Sequence, residues 1–148
     1  MKTAFVVVLA ISFLLSGALN ILKQISITNT LDEIVRFINL VKTEVHYTTA
    51  DFENIILKGK AQNYKYISFS DNKIFLNKYV GNKVIEDFNG FINKIGTTDE
   101  EGQLNICREY KEIFRELLDK RKITEKEKLQ VNTALSVFGA LAVLIFFM

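Results

Sequence analysis

The sequence lacks proline altogether and has a single cysteine and a single histidine in 148 residues. Average usage would supply about seven prolines, so their absence favours long, uninterrupted helices. One cysteine cannot form an intramolecular disulfide, and one cysteine with one histidine cannot build a zinc cluster. The net charge of +2 excludes a strongly basic nucleic-acid-binding protein and a strongly acidic tail protein. The composition therefore predicts an all-α chain without a disulfide or a metal.

Both ends of the chain are apolar and free of charge. Residues 3–22 carry no charged side chain, and as a helix they would be about 30 Å long, the thickness of the hydrocarbon core of a bilayer. Residues 131–148 are also uncharged, although a full span needs Leu129 and Gln130 as well, with Lys126 and Lys128 reaching the interface. We expect transmembrane helices over residues 1–23 and 131–148, with a helical domain over residues 24–130.

The first segment also fits a signal peptide, because Lys2 precedes an apolar stretch with a small-residue cleavage site at positions 16–18. Cleavage would leave an exported, tail-anchored helical interaction module. The apolar stretch continues to Leu22, however, which is longer than a signal peptide needs. Basic residues also cluster between positions 120 and 128, whereas nothing charged follows them in the second segment. The positive-inside rule then predicts that residues 24–130 face the cytoplasm.

The first part of the central domain shows helical spacing of its apolar residues. The spacing predicts a helix over residues 30–47, with Thr30 as its capping residue and two acids, Asp32 and Glu33, in its first turn. A short second helix follows over residues 51–58 and ends at Gly59. The two helices would form a helical hairpin.

The second part of the domain is less regular at first. Within residues 64–79, Tyr64, Tyr66 and Ser68 alternate partly, as strands do. A lone strand has nothing to pair with, so we expect a loop and then a short helix over residues 71–79. A third helix should end at Gly96 in a left-handed C-cap. A capping box over residues 98–101 should begin a last helix that runs on as a stalk into the second apolar segment.

No residue pattern predicts catalysis. His46 has only Glu44 as a nearby acid, and residues two apart lie on different helix faces, so we expect a structural histidine. Cys107 is expected to be a small core residue, because no histidine lies within sequence reach of it. The acids at positions 99–101 suit capping better than cation binding, and Gly59 lacks the rest of a phosphate-binding loop. The sequence therefore predicts no catalytic, cofactor-binding or metal-binding residue.

Two surface features suggest interactions. The basic residues between positions 120 and 128 lie where lysines meet anionic lipid, which favours lipid over nucleic acid as a partner. In the apolar segments, Gly17 and the evenly spaced Ser136, Gly139 and Ala142 are small enough to let helices approach closely. They also suit lipid-facing positions, since glycine is common in membrane helices. Both interpretations of the small residues stay open.

Two stretches carry a resemblance to a known family. Residues 91–107 (FINKIGTTDEEGQLNIC) combine an aromatic-led helix ending in Ile-Gly, a short Thr-Asp turn and a Glu-Gly-Gln element. Residues 40–52 (LVKTEVHYTTADF) place a Glu-x-x-Tyr element before a small-residue turn. With the order of the segments, they resemble the stage III sporulation protein AB family. Gly96, Asp99 and Gln103 occupy the matching motif positions.

The resemblance implies an all-helical cytoplasmic bundle, similar to the type II secretion system F protein, flanked by two transmembrane helices. It implies a non-enzymatic scaffold of a secretion-like sporulation complex in the outer forespore membrane, with the central domain facing the mother-cell cytoplasm. The expected partners are the ATPase of that complex, its other membrane components and the lipid bilayer, with neither nucleic acid nor a small-molecule substrate. Homo-oligomer formation stays open.

Overall fold

In a computed structural model of the chain, residues 2–47, 52–70 and 73–147 are described, with the backbone alone at positions 2–6, 9, 10, 13, 52, 144, 146 and 147. Four helices and two strands occur in these residues: α1 (Lys2–Tyr47), α2 (Phe52–Ala61), β1 (Ile67–Ser70), β2 (Lys73–Leu76), α3 (Asn82–Lys94) and α4 (Glu100–Phe147). The chain is therefore mostly helical, as predicted. It divides into a core unit, Ser26–Lys120, and a helix-pair unit, Met1–Ile25 with Arg121–Met148.

Helix α1 buries the apolar face that its spacing predicts. The buried members of this face are Leu31, Ile34, Ile38, Val41 and Val45. The predicted start at Thr30 is wrong, because α1 is already helical from Lys2. No proline stops the helix upstream, and the Thr30 hydroxyl donates a hydrogen bond to the carbonyl oxygen of Ser26 at 2.7 Å, as threonines inside helices do.

Strands β1 and β2 form an antiparallel hairpin, so the prediction of a loop and a short helix over residues 71–79 is wrong. Ile67 lies opposite Leu76, and Ser70 lies opposite Lys73. The prediction failed because the alternation of residues 64–68 was weighed only as a lone strand, although the residues that pair with β1 follow at once. Two residues between Ser70 and Lys73 suffice for a hairpin loop; these two, 71 and 72, lie outside the described residues.

Helix α2 extends past its predicted end at Gly59 to Ala61. Gly59 is needed there for space, since a Cβ atom at this position would lie 2.7 Å from the ring of Phe69 on β1. Lys58 pairs with Glu44 of α1, which links the two predicted members of the helical hairpin. The predicted turn between them, residues 48–50, and the predicted first residue of the second helix, 51, lie outside the described residues.

Aromatic rings connect the elements of the core unit. Phe37 of α1 lies 5.7 Å from Phe69 of β1 and 6.0 Å from Phe88 of α3, measured between ring centroids. Phe88 in turn lies 6.4 Å from Phe114 of α4 in an edge-to-face arrangement. Tilted and edge-to-face pairs of this kind are favourable beyond the apolar area that they bury. The core is therefore continuous from the hairpin to the last helix.

The helix-pair unit distributes its apolar side chains differently. Large apolar side chains of both helices are exposed, among them Leu19, Leu22, Leu135, Phe138 and Ile145. Across the described residues, no helix combines the length and the apolar character needed to cross a membrane.

Candidate functional site

The residues of the predicted motif, Gly96, Asp99 and Gln103, come together in the turn between α3 and α4. Gly96 adopts a positive φ of 84°, which confirms the predicted left-handed residue after α3. Its N–H donates to the side-chain oxygen of Gln103 at 3.3 Å, and the Gln103 amide donates to the carbonyl oxygen of Thr98 at 3.0 Å. Gln103 therefore holds the turn from both sides.

Asp99, and not Thr98, caps α4. The Asp99 carboxylate accepts a hydrogen bond from the N–H of Gly102 at 3.0 Å, and its carbonyl oxygen accepts the first helical bond from Gln103 at 2.9 Å. The capping box predicted over residues 98–101 does not form, because α4 begins at Glu100 and the position three residues after the cap is Gly102, which has no side chain to complete a box. Aspartate is a favoured capping residue since its charge also suits the positive helix start. The motif therefore caps the start of α4 and holds the turn that precedes it.

A groove of about 490 Å³ runs between α1 and α4 in the core unit. It is lined by Asn39, Lys42, Thr43, His46, Tyr47, Leu104 and Arg108. Among these described residues, none is acidic, whereas Lys42 and Arg108 are cationic. Lys111, Glu112 and Arg115 follow Arg108 at helical spacing, so this flank of α4 carries three cations and one acid. We call this surface the basic groove, and its chemistry suits carboxylates of a partner.

His46 closes one end of the basic groove. Its Nδ1 atom lies 3.4 Å from a carboxylate oxygen of Glu100, at the start of α4. The local sequence offers only Glu44 as an acid near His46, so it does not predict this pair. The signal is absent from the local pattern, because Glu100 is distant along the chain. Both side chains are more than half exposed, so the pair is a weak surface contact.

Cys107 is a core residue, as predicted. Its side chain is fully buried, and burial raises the pKa of the thiol to about 11, with a smaller opposing effect from Lys42. A thiol with this pKa carries almost no thiolate near neutral pH, and the thiolate is the nucleophile. No group of three or more His, Cys, Asp or Glu side chains that could hold a metal ion occurs in the described part of the chain.

Glu33 forms the buried polar site that the sequence analysis did not predict. Its carboxylate accepts hydrogen bonds from the backbone N–H groups of Lys65, Tyr66 and Ile67, at 2.9, 2.7 and 3.1 Å. Its side chain is only 5% exposed and lies 3.7 Å from Arg36. We interpreted Glu33 as part of a helix start, whereas it fixes the entry to β1. No local spacing points to partners more than thirty positions away.

In the helix-pair unit, the small residues Gly17, Ser136, Gly139 and Ala142 line one groove of about 490 Å³. Gly17 is buried, and a Cβ atom there would lie 2.0 Å from the hydroxyl oxygen of Ser136. Ser136 directs that hydroxyl to the carbonyl oxygen of Asn132 at 2.7 Å. The structure therefore brings all four residues together, and the absence of a side chain at position 17 lets the two helices approach.

Comparisons with known proteins returned no match to a family model, to a curated protein or to a solved structure. The function is therefore argued from the chemistry of the described residues.

Proposed function

We propose that this protein is a non-enzymatic membrane platform that docks an ATPase in a secretion-like sporulation complex between mother cell and forespore. In this proposal the helix-pair unit lies in the outer forespore membrane as two transmembrane helices. The core unit faces the mother-cell cytoplasm. The resemblance to the stage III sporulation protein AB family supplies the biological setting, and the residues supply the chemical support.

The observation that carries the proposal is the exposed apolar surface of the helix-pair unit. Leu19, Phe138 and Ile145 are 67%, 69% and 77% exposed. Soluble monomers rarely expose contiguous apolar patches larger than about a few hundred Å², and each buried apolar Å² is worth roughly 25 cal/mol. Lipid is the partner that suits such a surface on both helices, because residues 3–22 and 131–148 contain no charge.

The basic groove supports docking of an acidic protein surface. Lys42 lies on α1 and Arg108 lies on α4. A partner that contacts both must therefore place its carboxylates at a spacing that matches the distance between the two helices. Complementary charge of this kind gives specificity and a faster encounter more than raw affinity. We place the ATPase contact at this groove.

The contact between Gly17 and Ser136 supports retention of the first segment over signal cleavage. Gly17 lies within the small-residue stretch where cleavage would occur, and it is buried against α4. Cleavage there would remove the helix that packs on Ser136. The exported, tail-anchored module is the alternative, and labelling of the core unit from outside the cell would support it.

The orientation is tested with Phe75→Cys in the full chain, expressed in a spore-forming host. Phe75 is 52% exposed, whereas Cys107 is fully buried and should stay unlabelled. The proposal predicts that a membrane-impermeant maleimide labels position 75 only after the cells are permeabilised. Labelling in intact cells would contradict a cytoplasmic core unit and favour the exported module. Wild-type protein is the matched control for background labelling of Cys107.

Docking is tested with the double variant Lys42→Glu/Arg108→Glu, and Lys83→Glu is the matched control because Lys83 is an exposed lysine on α3 outside the groove. We expect the double variant to lose co-purification of the complex's ATPase and to arrest sporulation after engulfment, as deletion of the gene should. Normal spores after deletion would contradict the sporulation role. If the double variant still co-purifies with the ATPase, the basic groove is not the docking face, and only that part of the proposal is contradicted.

A further inference from the structure

A second groove, of about 610 Å³, lies between β2 and α3 in the core unit. It is lined by Lys73, Ile74, Phe75, Leu76, Lys78, Ile85, Asn89, Ile92 and Asn93. Four consecutive residues of β2 line it, so the groove follows the strand along its length. Ile74, Leu76 and Ile92 are half-buried on the core and give the groove an apolar floor. We call it the edge groove.

Among the described residues, no strand pairs with β2 on this side. β1 occupies the other edge, and the N–H of Asn77 donates to the carbonyl oxygen of Tyr66 at 3.0 Å. Bonded and non-bonded pairs alternate along an antiparallel ladder, so the backbone groups of Ile74 and Leu76 point away from β1. An unpaired strand edge of this kind is a ready template for another extended chain.

The charge around the edge groove selects the kind of chain that fits it. Lys73 begins β2 and Lys78 lies two residues beyond its end at Leu76, while Asn89 and Asn93 lie along α3. No carboxylate occurs among the described residues that line the groove. An extended peptide would bond to the backbone of Ile74 and Leu76, place alternate apolar side chains on the floor, and meet the lysines with acidic residues.

We propose that the edge groove binds an extended, acidic peptide segment of a protein partner, which adds a third strand to the sheet along β2. A second copy of this chain is a poorer occupant. Antiparallel pairing of two β2 strands through Ile74 and Leu76 would put Lys73 of one copy and Lys78 of the other at the same end of the pair, and like charges brought together at an interface are unfavourable.

The test is a selection of short random peptides displayed on phage against the full chain in detergent micelles. We expect enriched peptides with alternating apolar residues and flanking Asp or Glu. The best peptide, made synthetically, should bind wild-type protein in fluorescence polarisation. Methylation of alternate backbone nitrogens should abolish its binding, because those N–H groups pair with β2. Failure to enrich any such peptide would overturn the proposal. So would binding that survives methylation of each alternate set of backbone nitrogens, the odd-numbered and the even-numbered.

Two variants locate the binding site. Asn89→Trp fills the groove from the exposed side of α3, and Lys73→Glu/Lys78→Glu reverses the charge at its ends; we expect each to weaken the peptide by roughly tenfold or more. Lys83→Glu, on α3 outside the groove, is the control and should bind like wild type. An unchanged circular dichroism spectrum and unfolding midpoint would show that each variant folds. Equal affinity of Asn89→Trp and wild type would contradict the assignment.

Self-association is tested separately with Phe75→Cys. Oxidation should leave this variant monomeric on a non-reducing gel, because Cys107 is buried and two copies do not pair through β2 in this proposal. A disulfide-linked dimer that Asn89→Trp abolishes would identify a second copy as the occupant and overturn the proposal. None of these results depends on the ATPase or on the membrane role.

Discussion

The two units of this protein use apolar residues in opposite ways. In the core unit, Phe37, Phe88 and Phe114 are fully buried among the other elements. In the helix-pair unit, Leu135, Phe138 and their neighbours face outward, while the small Gly17 faces the partner helix. The difference shows that apolar content alone does not place a residue inside. A side chain is placed by what lies next to it, either other side chains or, as we propose for the helix-pair unit, lipid.

The sharpest test of this comparison is a pair of phenylalanine substitutions in the full chain in micelles. Phe88→Ala should lower the free energy of unfolding by about 4 kcal/mol, because it leaves a cavity among packed rings. Phe138→Ala removes the same atoms from an exposed position and should cost about 0.5 kcal/mol or less. Urea unfolding followed by circular dichroism measures both. Equal losses in the free energy of unfolding would contradict the difference between the two units.

The second test concerns the buried carboxylate of the core unit. Glu33→Ala should lower the free energy of unfolding by about 3 kcal/mol, since three backbone N–H groups lose their acceptor at once. Asp32→Ala is the matched control one position earlier, where the carboxylate makes a half-exposed pair with Arg36 and should cost about 0.5 kcal/mol. Denaturant titration separates the two. If Glu33→Ala lowers the free energy of unfolding no more than Asp32→Ala does, the entry to the hairpin does not depend on the Glu33 carboxylate.

The third test concerns the close contact between Gly17 and Ser136 in the helix-pair unit. Gly17→Ala should destabilise the helix pair by about 1 to 2 kcal/mol through overlap with Ser136. Ser136→Gly in the same chain removes the overlapping atoms, so a double-mutant cycle should show a favourable coupling between the two positions. Thermal unfolding in micelles measures the cycle. Additive effects would show that the two helices do not meet at this point.

The smallest expected effect distinguishes the two candidate caps of α4. Asp99→Ala should cost about 1 kcal/mol, because the N–H of Gly102 loses its acceptor. Thr98→Ala should change the free energy of unfolding by about 0.5 kcal/mol or less. The same urea titrations serve as the measurement. A larger loss from Thr98→Ala than from Asp99→Ala would restore the cap predicted from the sequence.

Local patterns predicted the parts of the fold that depend on neighbouring residues. Helical spacing indicated the buried face of α1 from Leu31 to Val45, and a glycine after an apolar helix indicated the left-handed residue at Gly96. A local contact of the same kind joins Glu116 and Lys120, four residues apart on α4, at 2.6 Å, and this hydrogen bond lowers the pKa of the Glu116 carboxyl. Each of these features needs only a few residues in sequence to specify it.

What the sequence analysis missed depends on distant partners. Glu33 binds the backbone at Lys65 to Ile67, and His46 meets Glu100, yet neither pair leaves a mark on local spacing. The hairpin could have been predicted, since only two residues separate Ser70 from Lys73, which is the spacing of the shortest common hairpin connections. The start of α1 was misplaced because Thr30 has a favoured capping side chain but lies in a segment that is helical on both sides.

The central claim is that the outward apolar face of the helix-pair unit lies in lipid, and it is tested most directly by fluorescence quenching with brominated lipids. The full chain is reconstituted in vesicles with an environment-sensitive probe on Phe138→Cys or, as the control, on Phe75→Cys in the core unit. The account predicts strong quenching at position 138 and none at position 75. A probe at position 138 that stays unquenched and exposed to water would contradict the account.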